Sequence, residues 1–232
     1  MVAATVNATL KIDIWSDIAC PWCYIGKRRL EEALRRLDAA DSGIGVEIEY
    51  HSFELSPDTP VDFEGPILDY FADAKGISKD QAQQMLAQVT EVAAGEGLDF
   101  RYDILQHTKT LKAHELLHHA KAHGRQIDMK ERLLKAYFVE GGYVGRVDDL
   151  VRYATEIGLD ADEARAALED GRYGADVAAD IAQARGYGIQ GVPFFVIDTK
   201  YGVSGAQDPA VFVEVLEKAA ADQQARAGVD VG

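Results

Sequence analysis

Leu10, Ile12 and Ile14 alternate with Lys11 and Asp13, the period-two pattern of a β-strand. Leu30, Ala33, Leu34 and Leu37 then recur at i, i+3, i+4 and i+7, the spacing of one helix face. Counting seven residues back from Leu30 places Cys23 on the same apolar stripe. Cys20 lies before the first turn, so periodicity predicts an exposed first cysteine and a sheltered second one. After the turn Gly43-Ile44-Gly45, Val46, Ile48 and Tyr50 alternate with Glu47, Glu49 and His51. Strand, helix and strand make a βαβ unit with parallel pairing.

The pattern changes near Leu55-Ser56-Pro57-Asp58-Thr59-Pro60 and stays mainly helical to about residue 185. Helices are expected from Pro66 to Lys75 and over about 79–94 with Ser78 as N-cap, then at about 109–123, 128–139, 147–157, 161–170 and 174–186. Phe194-Phe195-Val196-Ile197 is an unbroken apolar run, as in a strand buried on both faces. Tyr201–Ser204 follows as an antiparallel edge strand. Asp208 and Pro209 open a last helix with Val211, Phe212, Val215, Leu216 and Ala219 as its apolar stripe. A loose leader over residues 1–8 and a frayed end over 227–232 complete the reading. The class is α/β: βαβ, a helical block, then αββα. The expected division is 8–59 and 176–226 as one unit, with 60–175 inserted.

Charge narrows the partners. A net charge of −15 over 232 residues argues against nucleic acid and against an anionic membrane surface. No apolar run reaches the roughly 18 residues of a membrane span. The segment Met1–Leu10 has no positive region, and Thr and Asn interrupt its apolar residues, which argues against a secretory signal and for the cytoplasm. Cys20 and Cys23 are the only cysteines. One Cys-x-x-Cys without a framework of other cysteines points to redox chemistry or metal binding.

Cys20-Pro21-Trp22-Cys23 stands where the chain enters a helix. Unpaired N–H groups and the positive end of the helix dipole favour a thiolate there, and Pro21 suits the first turn. Cys20 is the expected nucleophile and Cys23 the resolving thiol. Zinc needs four ligands and no second cysteine pair exists, so no metal and no cofactor are expected. His114-Glu115-Leu116-Leu117-His118 matches the H-E-x-x-H zinc pattern. Ala113, Leu116, Leu117 and Ala120 define its apolar face, so His114, Glu115 and His118 are expected on a solvated flank. Gly191-Val192-Pro193-Phe194 places a proline at the start of a buried strand, and Trp22, Tyr24 and Phe53 are candidates to line a groove.

Three segments together, Ser16–Lys27 around the cysteine pair, Phe53–Asp58, and Gly191–Val196, resemble the DsbA family of thiol–disulfide oxidoreductases, in its FrnE-like branch of cytosolic proteins. The resemblance covers about residues 10–220. It implies a thioredoxin fold with a large all-helical insertion. It also implies a cis Pro193 facing the cysteines, Val192 offering backbone hydrogen bonds to substrate, and Pro21 and Trp22 surrounding the site. Partners would be protein or small-molecule thiols and disulfides, glutathione among them. Some FrnE-like proteins carry a second, C-terminal cysteine pair, which this chain lacks, so a two-centre relay is excluded. Two alternatives stay open: a glutathione-linked isomerase or transferase, which typically has Ser where Cys20 stands, and a chaperone-like peptide-binding module.

Overall fold

The computed structural model describes residues 8–229. The expected leader, Ala8 excepted, and residues 230–232 of the expected frayed end lie outside the described residues. The strand expected at Leu10–Ile14 extends over Ala8–Ser16 (β1). It leads into a helix at Pro21–Ala39 (α1) and a second strand at Ile44–Ser52 (β2). A run of helices follows: Ile67–Lys75 (α2), Lys79–Gly95 (α3), Leu111–Ala122 (α4), Gln126–Phe138 (α5), Val147–Glu156 (α6), Ala161–Glu169 (α7) and Gly174–Gly186 (α8). Two short strands, Phe194–Ile197 (β3) and Tyr201–Ser204 (β4), and Pro209–Val229 (α9) close the chain. Local chemistry sets several boundaries. Ser78 and Gln81 form a reciprocal capping box at α3, and Gly76 ends α2 in the left-handed conformation at φ 63°.

The sheet order is β2-β1-β3-β4, with β1 parallel to β2 and antiparallel to β3. Ile14 pairs with Tyr50 on one side and Phe195 on the other, so β1 is the central strand. One sheet face packs Leu10, Ile12, Ile14, Phe195 and Ile197 against Leu30, Ala33 and Leu37 of α1 and Phe212 and Leu216 of α9. Each such side chain contributes roughly 1.5–3 kcal/mol on full burial. The opposite face carries Trp15 against Ala184 of α8 and Ile189. This βαβ…αββα arrangement is the thioredoxin fold. A second core lies among the helices and includes Leu116, Leu117, Leu133, Leu134, Tyr137, Phe138 and Leu150. Tyr24 and Ile25 of α1 belong to that core, so α1 bonds the two layers at the turn following Cys23.

Two expected surfaces are corrected. His114, Glu115 and His118 do not face solvent: they are 0%, 3% and 8% exposed. The reason is that α5, α6, α7 and α8 all pack against α4, leaving residues 113–120 no wet side. In α9, Phe212, Leu216, Ala219 and Ala220 form the buried stripe, while Val211 sits a helical step off it and is exposed.

Candidate active site

Cys20 is the N-cap of α1, in extended conformation, with Pro21 in the first turn and no acidic residue there. The Cys23 N–H donates to the Cys20 carbonyl at 3.0 Å, so both cysteines occupy one turn. Both are free thiols. The sequence predicts an exposed Cys20, yet Cys20 and Cys23 are each only 3% exposed. The strand-entry loop accounts for this. The Cys20 thiol donates to the Val192 carbonyl at 3.3 Å, and the Val192–Pro193 peptide is cis. Gly26, one turn into α1, makes room for that loop, because a Cβ there would lie 3.0 Å from Pro193 Cγ. The Gly205 N–H, donating to the Pro193 carbonyl at 2.8 Å, holds the loop from its other side. Cys20 still opens into a cleft shared with Pro21, Trp22 and Val192, whereas Cys23 does not line it. Trp22 stands at the rim, 39% exposed. The other two aromatic candidates lie elsewhere: Tyr24 is buried in the helical core and Phe53 packs beside Trp15 and Ile189.

The pair titrates as a unit. Interaction with the Cys23 sulfur holds the Cys20 thiol well above the ordinary thiol value, whereas Cys23 lies below it, so the first proton lost leaves its charge mainly at Cys23 and reaches Cys20 by exchange of the shared proton. Burial opposes both ionisations. The positive charge of Lys130 and the Ser16 hydroxyl favour the thiolate at Cys23, and the N-terminal end of α1 favours negative charge at the pair. Asp17 opposes ionisation of Cys20. That carboxylate is itself fixed: Oδ2 accepts from the Leu55 N–H at 2.8 Å and Oδ1 lies 3.2 Å from His114 Nε2. Burial alone would raise Asp17, but the hydrogen bonds from His114 and Leu55 hold it below the ordinary value.

Lys130 was invisible to pattern reading, which places lysines outside. It is 0% exposed, and its Nζ has no hydrogen-bond partner among the described residues. The ammonium lies 5.4 Å over the Tyr50 ring of β2. Its neighbour Glu131 bonds Tyr24 at 2.7 Å, Lys27 at 2.7 Å and Arg28 at 2.5 Å, all on α1 just past Cys23. Gln126 of the same helix bonds both the N–H and the carbonyl of Tyr50, at 2.9 and 2.8 Å. These ties lodge Lys130 between α1 and β2. Burial pushes its amine down, while the two cysteines and Asp17 pull it back up.

The H-E-x-x-H residues do not converge on one point. His114 meets Asp17, His118 Nε2 meets Asp180 Oδ2 at 3.0 Å, and Glu115 pairs with Lys112 at 2.9 Å. Among the described residues, Asp13, Glu49 and His51 could group around an ion. Their ligand atoms are already engaged: Lys11 bridges Asp13 and Glu49 at 2.9 Å each, Lys121 pairs with Glu49, and His51 Nε2 lies 2.8 Å from Asp13.

Comparison with known proteins follows the same lines. Residues 11–217 match the DSBA-like thioredoxin domain family. The chain is 32% identical to the uncharacterized protein YwbO of Bacillus subtilis (strain 168), over 93% of this chain and 98% of that one. Among solved structures, it resembles a probable DsbA oxidoreductase from Streptomyces coelicolor, with 42% identity, a TM-score of 0.84, and coverage of 90% and 89% of the two chains. The cytosolic disulfide reductase DsbM from Pseudomonas aeruginosa shares the fold, at 18% identity and a TM-score of 0.61, over 94% of this chain and 99% of that one. Fold, cysteine pair and sequence matches agree, and the chain belongs to the DSBA-like thioredoxin domain family.

Proposed function

We propose that this protein is a thiol–disulfide oxidoreductase of the cytoplasm, in the FrnE-like branch of its family, with one redox centre at Cys20 and Cys23. The observation that carries the reading is Cys20 at the N-cap of α1, paired within one turn to Cys23 and facing the cis Val192–Pro193 loop. In the reductive direction the Cys20 thiolate attacks one sulfur of a substrate disulfide and releases the other as a thiolate. Cys23 then attacks the Cys20 sulfur, freeing the second substrate thiolate and closing the Cys20–Cys23 disulfide. Two electrons pass to the substrate, and an external thiol restores the pair.

The surroundings have assigned parts. Pro21 starts the helix, Trp22 forms the rim, Pro193 walls the site, and the Val192 carbonyl, released by Cys20 on reaction, offers a backbone contact to substrate. Cys23 must lose a proton before it attacks. The positive charge of the buried Lys130 favours the resulting thiolate, and Lys130 is assigned this electrostatic role. Glutathione is a reasonable thiol partner: a Pseudomonas aeruginosa DsbM structure of the same fold contains GSH. Residues 60–175 act as the insertion that covers the site; the separate core among the helices supports that division. Reduction of insulin disulfides by wild type and Cys20→Ser tests the reading. The expected result is exchange in wild type alone; equal rates in both would refute it.

A further inference from the structure

Cys20 lines a cleft of about 450 Å³. That lies within the range of small-molecule sites, roughly 300–1,000 Å³. The walls contributed by the helical block are mainly apolar: Phe71, Met85, Leu86, Val89, Leu105 and Phe138. The mouth is apolar as well, with Trp22, Leu55 and Met85 each at least 39% exposed.

The lining is poor in charge. Lys75 is the charged side chain among the lining residues, and its ammonium lies 5.0 Å over the Phe71 ring. His107 is neutral, because burial pushes it down to about 4. Its Nδ1 already meets the Tyr137 hydroxyl at 2.7 Å, and the Tyr70 hydroxyl meets Thr59 at 2.9 Å. Tyr102 differs from these. Its hydroxyl has no hydrogen-bond partner among the described residues, and burial holds it protonated. An uncommitted donor in an apolar wall is completed by an acceptor on a ligand.

We propose that this cleft selects an uncharged, aromatic low-molecular-weight disulfide, one sulfur against Cys20 and a polar atom toward Tyr102. The inference rests on the oxidoreductase reading and adds its substrate class. Glutathione disulfide fits poorly as the occupant. Its four carboxylates and two ammonium groups would face apolar walls with Lys75 as the one ionic partner, and burying an unpaired charge is costly. Glutathione serves instead as the external reductant. The Cys20 thiolate forms a mixed disulfide with one aryl sulfur and expels the other as an aryl thiolate. Cys23 expels the second, and two glutathione thiols are oxidised to one glutathione disulfide as the enzyme dithiol returns.

The test compares bis(4-hydroxyphenyl) disulfide, glutathione disulfide and insulin as substrates of the full chain, with dithiothreitol as reductant. Each kcat/KM is divided by the uncatalysed exchange rate of that disulfide with dithiothreitol. The expected enhancement is at least tenfold greater for the aryl disulfide than for the other two. Leu86→Trp, which fills the cleft, should reduce that preference at least tenfold, and Tyr102→Phe about fivefold. Both ratios are insensitive to a general loss of folded enzyme. Equal enhancement of all three substrates, or a preference for insulin unchanged by both variants, would overturn the proposal. Turnover of none of them by wild type would instead remove the oxidoreductase reading beneath it.

Discussion

Two buried polar centres lie on either side of β2, and they are built on opposite plans. On the α8 side, His51 stacks on Trp15 at 4.5 Å and sits between two carboxylates, Asp13 and Asp180, each 2.8 Å away. Asp180 also accepts from the Ser52 N–H at 2.7 Å, meets His118 at 3.0 Å, and its carbonyl accepts from Trp15 Nε1 at 3.1 Å. Nearly every donor there has an acceptor. At the redox centre, Lys130 Nζ and Ser16 Oγ have no nitrogen or oxygen partner among the described residues, and two thiols share their protons. A satisfied network holds parts together, whereas an unsatisfied one keeps groups available for reaction. The histidine–aspartate cluster joins β1, β2, α4 and α8, and stability should depend on it. The cysteine–lysine cluster should govern chemistry at little cost to stability.

The sharpest break between the two comes from Cys20→Ser. Exchange should fall to the uncatalysed background while the thermal midpoint stays within a few degrees of wild type. Cys23→Ser should instead accumulate a mixed disulfide at Cys20, visible by mass spectrometry. Asp180→Ala should act the other way. It leaves His51 with Asp13 as its one hydrogen-bonded carboxylate among the described residues and the Ser52 N–H without its acceptor, and costs about 3 kcal/mol of stability in urea denaturation, with Cys20-dependent exchange per folded molecule retained.

Lys130→Met tests the comparison from inside the redox centre. Resolution of the mixed disulfide should slow on the order of tenfold with loss of the charge that favours the Cys23 thiolate. The thiolate absorbance should titrate at higher pH, because a positive charge beside Cys23 is gone. Stability should be unchanged or raised, since an unpartnered buried amine is replaced by an apolar chain of similar length. A large loss of stability with normal resolution would make Lys130 structural.

The smallest effect is the pH profile of stability. Burial works against a charged His51, but hydrogen bonds to Asp180 and Asp13 outweigh it and raise the pKa above 6.5. Its contribution is full below about pH 6.5 and fades as pH rises through the folded value. Asp180 is likewise penalised by burial, yet His118, His51 and the Ser52 N–H hold it below 3.8. Its contribution is present above about pH 3.8 and fades as pH falls through the folded value. The cluster therefore stabilises most between about pH 4 and 6.5. Melting curves should show wild type gaining over His51→Gln in that window and converging with it at alkaline pH.

Much of this architecture is written in local pattern. The apolar run Phe194–Ile197, the Ser78 cap and the helix at 174–186 coincide with elements of the structure. So does the cysteine pair at a helix entrance. Local reading failed where one residue answers to distant ones. Periodicity assumes that every helix has a wet side, and residues 113–120 of α4 have none. Cys20 is covered by Val192, 172 residues away in the chain. His51 meets Asp180 across 129 residues, and no spacing rule links them. Lys130 reads as a surface residue until Tyr50, Glu131 and Gln126 place its helix against the redox turn.

The most direct test equilibrates the protein in glutathione buffers of graded potential and follows free thiols at Cys20 and Cys23 by alkylation and mass spectrometry. The account predicts one cooperative two-electron transition, both thiols disappearing together into an intramolecular disulfide, and none in Cys20→Ser. Two thiols that stay reduced across the series, or that form only independent glutathione adducts in wild type, would contradict it.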